Sequence, residues 1–320
     1  MKGTWKLQLR MWLVMLLMFT MLYIIIALAG SFLGYGGFYQ FYAIIGILMI
    51  FLQYLFAPKI VESSMKVKPL SKEEAPHIHA MVEELAQKAD IPKPKIGISD
   101  VNIPNAFAYG RSKRSGHVAI TRNLLGLLDR DELKAVLGHE LGHIKHNDMI
   151  VTTIVSAIPM VFYYLAFSSM FSRNNNNNSG FIIGIIAWIA YFVGQLLVLL
   201  VSRIREYYAD AASIEFGNRP NELASALYKL SYGAANSSEE QIKDVEGTRA
   251  FFLNDVNEGS HDIRSFRQLD IDNNGKISEA ELNKLHHHDI KVKGSDNLKE
   301  LLSTHPDMLK RVKRLADFNN

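Results

Sequence analysis

The sequence contains no cysteine in 320 residues, so no disulfide can staple the fold. That absence agrees with a reducing compartment. Charge is also missing over long stretches: no Asp, Glu, Lys or Arg occurs between Arg10 and Lys59, between Asp148 and Arg173, or between Arg173 and Arg203. Runs of this kind reach or exceed the ~20 apolar residues that cross a hydrocarbon core, which predicts a membrane protein. A surplus of one sign of charge is lacking as well. The formal net charge is only +3, with basic residues beside the apolar runs and no basic stripe, so nucleic acid is not an expected partner.

The first charge-free stretch predicts a helical hairpin, about 11–29 and about 38–57, joined by the Gly-rich turn GSFLGYGG. The apolar part of the first helix is too long for a cleaved signal peptide, and a second span follows at once. A second pair is expected at about 149–171, kinked at Pro159, and at about 181–202, joined by the low-complexity linker SRNNNNNSG. Lys2, Lys6 and Arg10 precede the first span, while Lys59, Lys66, Lys68 and Lys72 follow the second. By the positive-inside rule both flanks face the cytoplasm. The expected organisation is a transmembrane hairpin at 1–58, a first cytoplasmic segment at 59–148, a second transmembrane pair at 149–202 and a second cytoplasmic segment at 203–320.

The stretch GHELGHIKHND, Gly138 to Asp148, holds the pattern His-Glu-x-x-His. Asp129 and Glu132 form a capping-box pattern ahead of it, and Leu133, Val136 and Leu137 recur at helical spacing. His139 and His143 then lie one turn apart on one helix face, where two imidazoles can reach one zinc ion. Glu140 projects beside them, placed to deprotonate an attacking water. A hydrolytic zinc site needs a third protein ligand. The extended pattern that would place a third His downstream fails, because His146 and Met149 occupy its Gly and His positions. The alternative is a Glu from a later helix, and Glu206 in VSRIREYYADAASIEF supplies one. Asp210, four residues on, shares its face and can fix the tautomer of a ligand histidine. His146 lies near the ligand face too, and as a fourth ligand it would make the site structural. KIGISD, NAFAYG and HVAIT read as short strands, with GRSKRSG as a turn.

HELGH, then REYYAD after a pair of apolar helices, then STHPDMLKRVKRL, together resemble the HtpX family of membrane zinc metalloproteases, distant relatives of the CAAX prenyl proteases. The resemblance implies one zinc per chain at His139, His143 and Glu206, with Glu140 as general base. It also implies that Asn105, in IPNAFAYG, holds the substrate backbone at an edge strand and that His305, in STHP, stabilises the oxyanion. Alternatives from local pattern are a turn residue at Asn105 after Pro104, a helix start at His305 with Thr304 as cap and Pro306 in the first turn, and a surface carboxylate at Asp210.

From Asp270 the chain reads DIDNNGKISEAE, the spacing of a twelve-residue EF-hand calcium loop. Asp270, Asp272 and Asn274 occupy positions 1, 3 and 5, Gly275 position 6, Lys276 position 7 through its carbonyl, Ser278 position 9 and Glu281 position 12. The loop and its flanking helices would form an insert at about 260–288; a metal-free Asp/Asn/Gly turn is the alternative. His286, His287 and His288 form a run that could bind metal weakly, though such a run is more often a solvated helix end.

These features predict a mainly α membrane protein with four transmembrane helices and a cytoplasmic α+β, zincin-like (gluzincin) catalytic domain carrying a small sheet. The expected function is a multi-pass, membrane-bound zinc endopeptidase. Its expected partners are the lipid bilayer and polypeptide substrates, membrane proteins above all, and the resemblance suggests proteolytic quality control. The rival readings are a CAAX-type prenyl protease and a catalytically silent, calcium-responsive membrane scaffold; an intact Glu140 speaks against the second.

Overall fold

The computed structural model describes residues 39–170, 179–235, 269–287 and 303–318, apart from 273 and 304, together with positions 13, 17, 18 and 20. The first expected span, the Gly-rich turn, most of the Asn-rich linker and the helix expected ahead of the calcium-type loop fall outside those residues, save for these four helical positions. The chain divides into two compact units, one formed by residues 1–56 and 150–204 and the other by 57–149 and 205–320.

Two helices that supply most of the described residues of the first unit carry stretches long and apolar enough to cross a membrane, Asp148–Phe167 and Gly180–Glu215. They belong to α5 (Asp148–Met170) and α6 (Ser179–Glu215). Val155, Ile158, Phe162, Ala190 and Val201 form a small interior, and Gly194 lets Pro159 approach closely. Only 33% and 28% of their most apolar parts is buried, leaving Phe167, Phe181 and Ile189 on the outside. An apolar surface of that extent suits hydrocarbon rather than water. The helix at the second expected span, α1 (Tyr39–Ser64), runs past the expected end at 57 and carries Pro58 inside it.

The second unit carries the site. Its strands are β1 (Val67–Pro69), β2 (Lys95–Ser99), β3 (Ala106–Gly110) and β4 (Gly116–Thr121), in the order β1-β2-β4-β3. β2 and β4 are parallel and the other pairs antiparallel. Three strands lie where alternation and turn residues place them; β1, three residues long, is too short for alternation to mark it. The sheet packs against α3 (Arg122–Leu127) and α4 (Arg130–Lys145), and these share with helices α2 (Pro76–Ala89), α7 (Pro220–Ala235), α8 (Glu279–His287) and α9 (Met308–Ala316) a core that includes Ile78, Leu85, Val118, Val136, Leu227 and Val312. Helix α2 starts with Pro76 in its first turn and stops at Asp90, in left-handed conformation at φ 54°.

β3 is a sheet edge. The Thr121 N–H donates to the Asn105 carbonyl at 2.9 Å, so the period of two turns 105, 107 and 109 toward β4 and leaves the backbone groups of Ala106, Ala108 and Gly110 along the open side.

Candidate metal centre

Helix α4 is held at its start by the capping box: the Asp129 carboxylate accepts from the N–H groups of Asp131 and Glu132, and Glu132 accepts from the Asp129 N–H. Lys229 of α7 pairs with the same Glu132 at 2.7 Å. The helix then crosses the C-terminal part of α6 at van der Waals distance. A Cβ added at Gly142 would lie 2.9 Å from Ala212 Cβ and 3.1 Å from Ala209 Cα, so only glycine fits there. That crossing brings Glu206 opposite His139 and His143.

The Nε2 atoms of the two histidines are 3.1 Å apart, and Glu206 Oε2 and Oε1 lie 3.5 Å and 3.6 Å from them. Ligand atoms bound at ~2.0–2.1 Å in a tetrahedral zinc site stand roughly 3.3 Å from one another, so the group fits that ion. The remaining ring nitrogens are already committed. His139 Nδ1–H donates to Asp210 Oδ1 at 2.9 Å and His143 Nδ1–H to Asp148 Oδ2 at 2.7 Å. A carboxylate only accepts, which turns both Nε2 lone pairs into the same gap. Two facing lone pairs at that separation require a shared proton or a cation between them. Glu206 Oε2, whose contact with Arg311 Nη1 at 3.2 Å is an ion pair without hydrogen-bond geometry, and both ring nitrogens of His305 are buried without a hydrogen bond, further donors and acceptors gathered around the gap.

Titration reflects the same crowding. Burial pulls His139 down, but Asp210 and Glu206 outweigh it and push it up to about 9. Burial, reinforced by His139, pulls His143 down to about 3. Glu140 is pushed up to about 8, chiefly by burial, while it accepts a hydrogen bond from the Ala108 N–H of the open strand edge. Glu140 is thereby tied to the open edge of β3.

The other expected residues fall as follows. Asn105 is 1% exposed at the entrance to β3, its N–H donating to Thr121 Oγ1 at 2.8 Å. It is a buried strand-entry residue, not an exposed turn. Asp210 is buried and bonded, not a surface carboxylate. His305 does not start a helix: α9 begins at Met308 with Asp307 as its cap, and His305 lies before it, its Nδ1 3.7 Å from Glu206 Oε1. His146 caps the C-terminus of α4 and packs its ring on Tyr208, and among the described residues it joins no metal group. Burial, then Arg205, pulls it down to about 4.

In the calcium-type loop, Asp270, Asp272 and Glu281 offer carboxylate oxygens within 4.8 Å of one another. Gly275 takes φ 78° at position 6. Asp270 accepts from the N–H groups of Asn274 and Gly275 and from the Tyr228 hydroxyl, and Glu281 from the N–H groups of Ile271 and Ser278. Asn274 and Lys276 are exposed and Ser278 is at the loop's end, bonded to Glu281. His286 and His287 close α8, while His288 lies outside the described residues.

Sequence reasoning missed Asp148, Arg205, Arg311 and Gly142. Asp148 reaches back to His143 because Asn147 adopts φ 56° and reverses the chain. Arg205 pairs with Asp148 and donates to the His146 carbonyl at 2.9 Å. Arg311 is fully buried against Asp210 and Glu206.

Comparison with known proteins points to one class, membrane metallopeptidases. The family described as Peptidase family M48 matches residues 72–319. A Protease HtpX homolog of Methanothermobacter thermautotrophicus is 57% identical over 228 residues, covering 71% of this chain and 87% of that protein. Another, of Sulfurihydrogenibium sp., is 31% identical over 284 residues, covering 86% and 85%. The crystal structure of S. mikatae Ste24p matches with a TM-score of 0.49 at 17% identity, over 96% of this chain and 67% of that one. The chain belongs to peptidase family M48, and within it to the HtpX-type proteases.

Proposed function

We propose that this metalloprotease holds one zinc ion at His139, His143 and Glu206 and cuts peptide bonds in membrane proteins, as a quality-control endopeptidase. The observation that carries the reading is the convergence of two Nε2 lone pairs and the Glu206 carboxylate on one gap, with Glu140 beside it. A zinc ion bound there polarises a peptide carbonyl and lowers the pKa of water. Glu140 accepts the proton of the attacking water and returns it to the departing amine, so that one water is added across the bond. A peptide adds to the open edge of β3 through the backbone groups of Ala106, Ala108 and Gly110, beside Asn105. His305 donates a hydrogen bond to the oxygen that becomes negative. Asp210 and Asp148 hold the two ligand rings in their tautomers.

Four spans with both chain ends in the cytoplasm are the topology we assign, on the charge pattern of the sequence. Cysteines introduced at Ser115 and Ser179 of the cysteine-free chain should be labelled from opposite sides of the membrane by an impermeant reagent. Labelling from one side would break that topology. A CAAX-type specificity is the less favoured reading, since four spans do not build a large membrane chamber. A calcium ion at Asp270, Asp272, Asn274, Lys276 (carbonyl), Ser278 and Glu281 is a second reading, supported by the three converging carboxylates.

Metal analysis of the purified protein together with casein cleavage tests the main reading. Glu140→Ala should keep its zinc and lose roughly 10²–10⁴-fold in turnover, the usual worth of a general base. Full cleavage by that variant would overturn the mechanism.

A further inference from the structure

Arg311 is the largest fully buried side chain among the described residues, and none of the roles above uses it. It comes from α9, far along the chain from the two helices it joins. Its Nε and Nη2 donate to the two oxygens of Asp210 at 3.0 Å and 2.7 Å, a bidentate pair. Nη1 points the other way, 3.2 Å from Glu206 Oε2. One rigid guanidinium therefore spans both carboxylates that share the ligand face of α6.

Stability alone is a poor reason for such a group. A buried ion pair often gains nothing over well-packed apolar side chains of the same volume, because desolvation offsets the attraction. Its geometry is more telling. Asp210 Oδ1 receives both Arg311 Nη2 and His139 Nδ1, so the guanidinium fixes the aspartate that fixes the ring. With Nη1 beside Oε2, the Glu206 carboxylate is turned so that Oε1 faces His143 Nε2 and Oε2 faces His139 Nε2. Lysine, with a single point of charge, cannot make three such contacts in a plane.

We propose that Arg311 is a positioning residue of the metal centre, setting the orientation of the Glu206 carboxylate and, through Asp210, of the His139 ring. The proposal rests on the ligand assignment made above. It also gives the last helix a function: α9 carries the fork that holds the ligand carboxylate, and its lead-in carries His305, so the two arrive at the site together.

The test uses full-length protein in detergent and four forms: wild type, Arg311→Lys, Arg311→Met and His139→Ala. Zinc affinity is read by chelator competition, fold by thermal melting, and ligand geometry by the visible absorption bands of the cobalt(II)-substituted protein. Arg311→Lys keeps the buried charge and loses the fork. It should fold, bind zinc roughly 10–100-fold more weakly, the range typical of groups that orient metal ligands, and show altered cobalt bands. Arg311→Met should weaken zinc at least as much. Wild-type zinc affinity with an unchanged cobalt spectrum in Arg311→Lys would overturn the proposal. Failure of both Arg311 variants to fold would also overturn it, leaving the guanidinium as a stability element. If His139→Ala bound zinc as tightly as wild type, the ligand assignment itself would fall, an outcome distinct from either of these.

Discussion

The centre at His139, His143 and Glu206 and the loop at Asp270, Asp272 and Glu281 lie in the same unit, yet they are built in opposite ways. The first draws its atoms from two helices far apart in sequence, and its parts are held by groups from further elements: Asp148 behind one ring, Asp210 behind the other, and Arg205 and Arg311 behind those aspartates. The second draws all its carboxylates from twelve consecutive residues, and its own backbone N–H groups already satisfy much of Asp270 and Glu281. A centre assembled by tertiary packing fixes its ligands before any ion arrives, whereas a local loop can close on an ion or on itself. The first should be unforgiving of substitution and the second tolerant.

The largest effect should separate the two outright. His139→Ala or Glu206→Ala should lose zinc and cleave casein no faster than the chelated wild type. Glu281→Gln should keep wild-type zinc content and turnover. Equal loss of cleavage in all three variants would erase the distinction and make the loop part of the catalytic centre.

The next effect is smaller and concerns the partners rather than the ligands. Asp148→Ala and Asp210→Ala should each cost roughly 10–100-fold in zinc affinity or activity, since each removes the acceptor that fixes a ligand tautomer. Zinc titration against a chelator checks this. Asp148→Ala with unchanged affinity would show that His143 is held by packing alone.

How much of this was legible in the sequence follows the same division. The α4 cap, the two histidines and the calcium-type loop are local patterns, readable because every residue involved lies within a turn or two of the next. Glu206 and Asp210 were readable by their shared helix face and motif. Asp148 stood in the quoted stretch but depends on the positive φ at Asn147, a backbone reversal that helical periodicity does not express. Arg311 depends wholly on where α9 docks, and no local pattern marks a lysine- and arginine-rich helix as carrying a buried cation. Gly142 was visible as a glycine, but its reason is the approach of Ala209 and Ala212. Helix α2 is a different case: Pro76 and the spacing of Ile78, Met81, Val82, Leu85 and Ala89 are local signals of a helix.

A third prediction concerns calcium itself. A single unpaired loop should bind with an affinity near ~10⁻⁴ M. At about 100 times that concentration, binding to the folded state alone would add about 2.7 kcal/mol. Calcium should therefore raise the melting temperature of the zinc-loaded wild type and not that of Glu281→Gln, with cleavage unchanged in both. A calcium-dependent change in turnover would make the loop a regulator, and no melting shift in either protein would leave it a surface turn.

The smallest effect tests an ion pair that connects the two regions. Lys276, within the loop, pairs at 2.7 Å with Asp129, the residue that caps the helix bearing both histidines. Its side chain is 53% exposed and that of Asp129 42%, so the pair is a surface bridge, worth about 0–1 kcal/mol and screened by salt. Its pH dependence has a definite sign. Burial raises Asp129, but the Glu132 N–H and Lys276 outweigh it, and the carboxyl lies below its ordinary value. A lowered carboxyl contributes stability that is present above the unfolded value near ~3.9 and is lost as pH falls through the lower folded value. Lys276→Ala should thus lower the melting point slightly at neutral pH and low salt, and the difference should vanish at high salt or in acid. Cleavage should stay at the wild-type rate, because the cap retains its two backbone hydrogen bonds. A fall in turnover larger than the fall in stability would mean that the loop reaches the metal centre through the start of α4, and the two regions would have to be treated as one device.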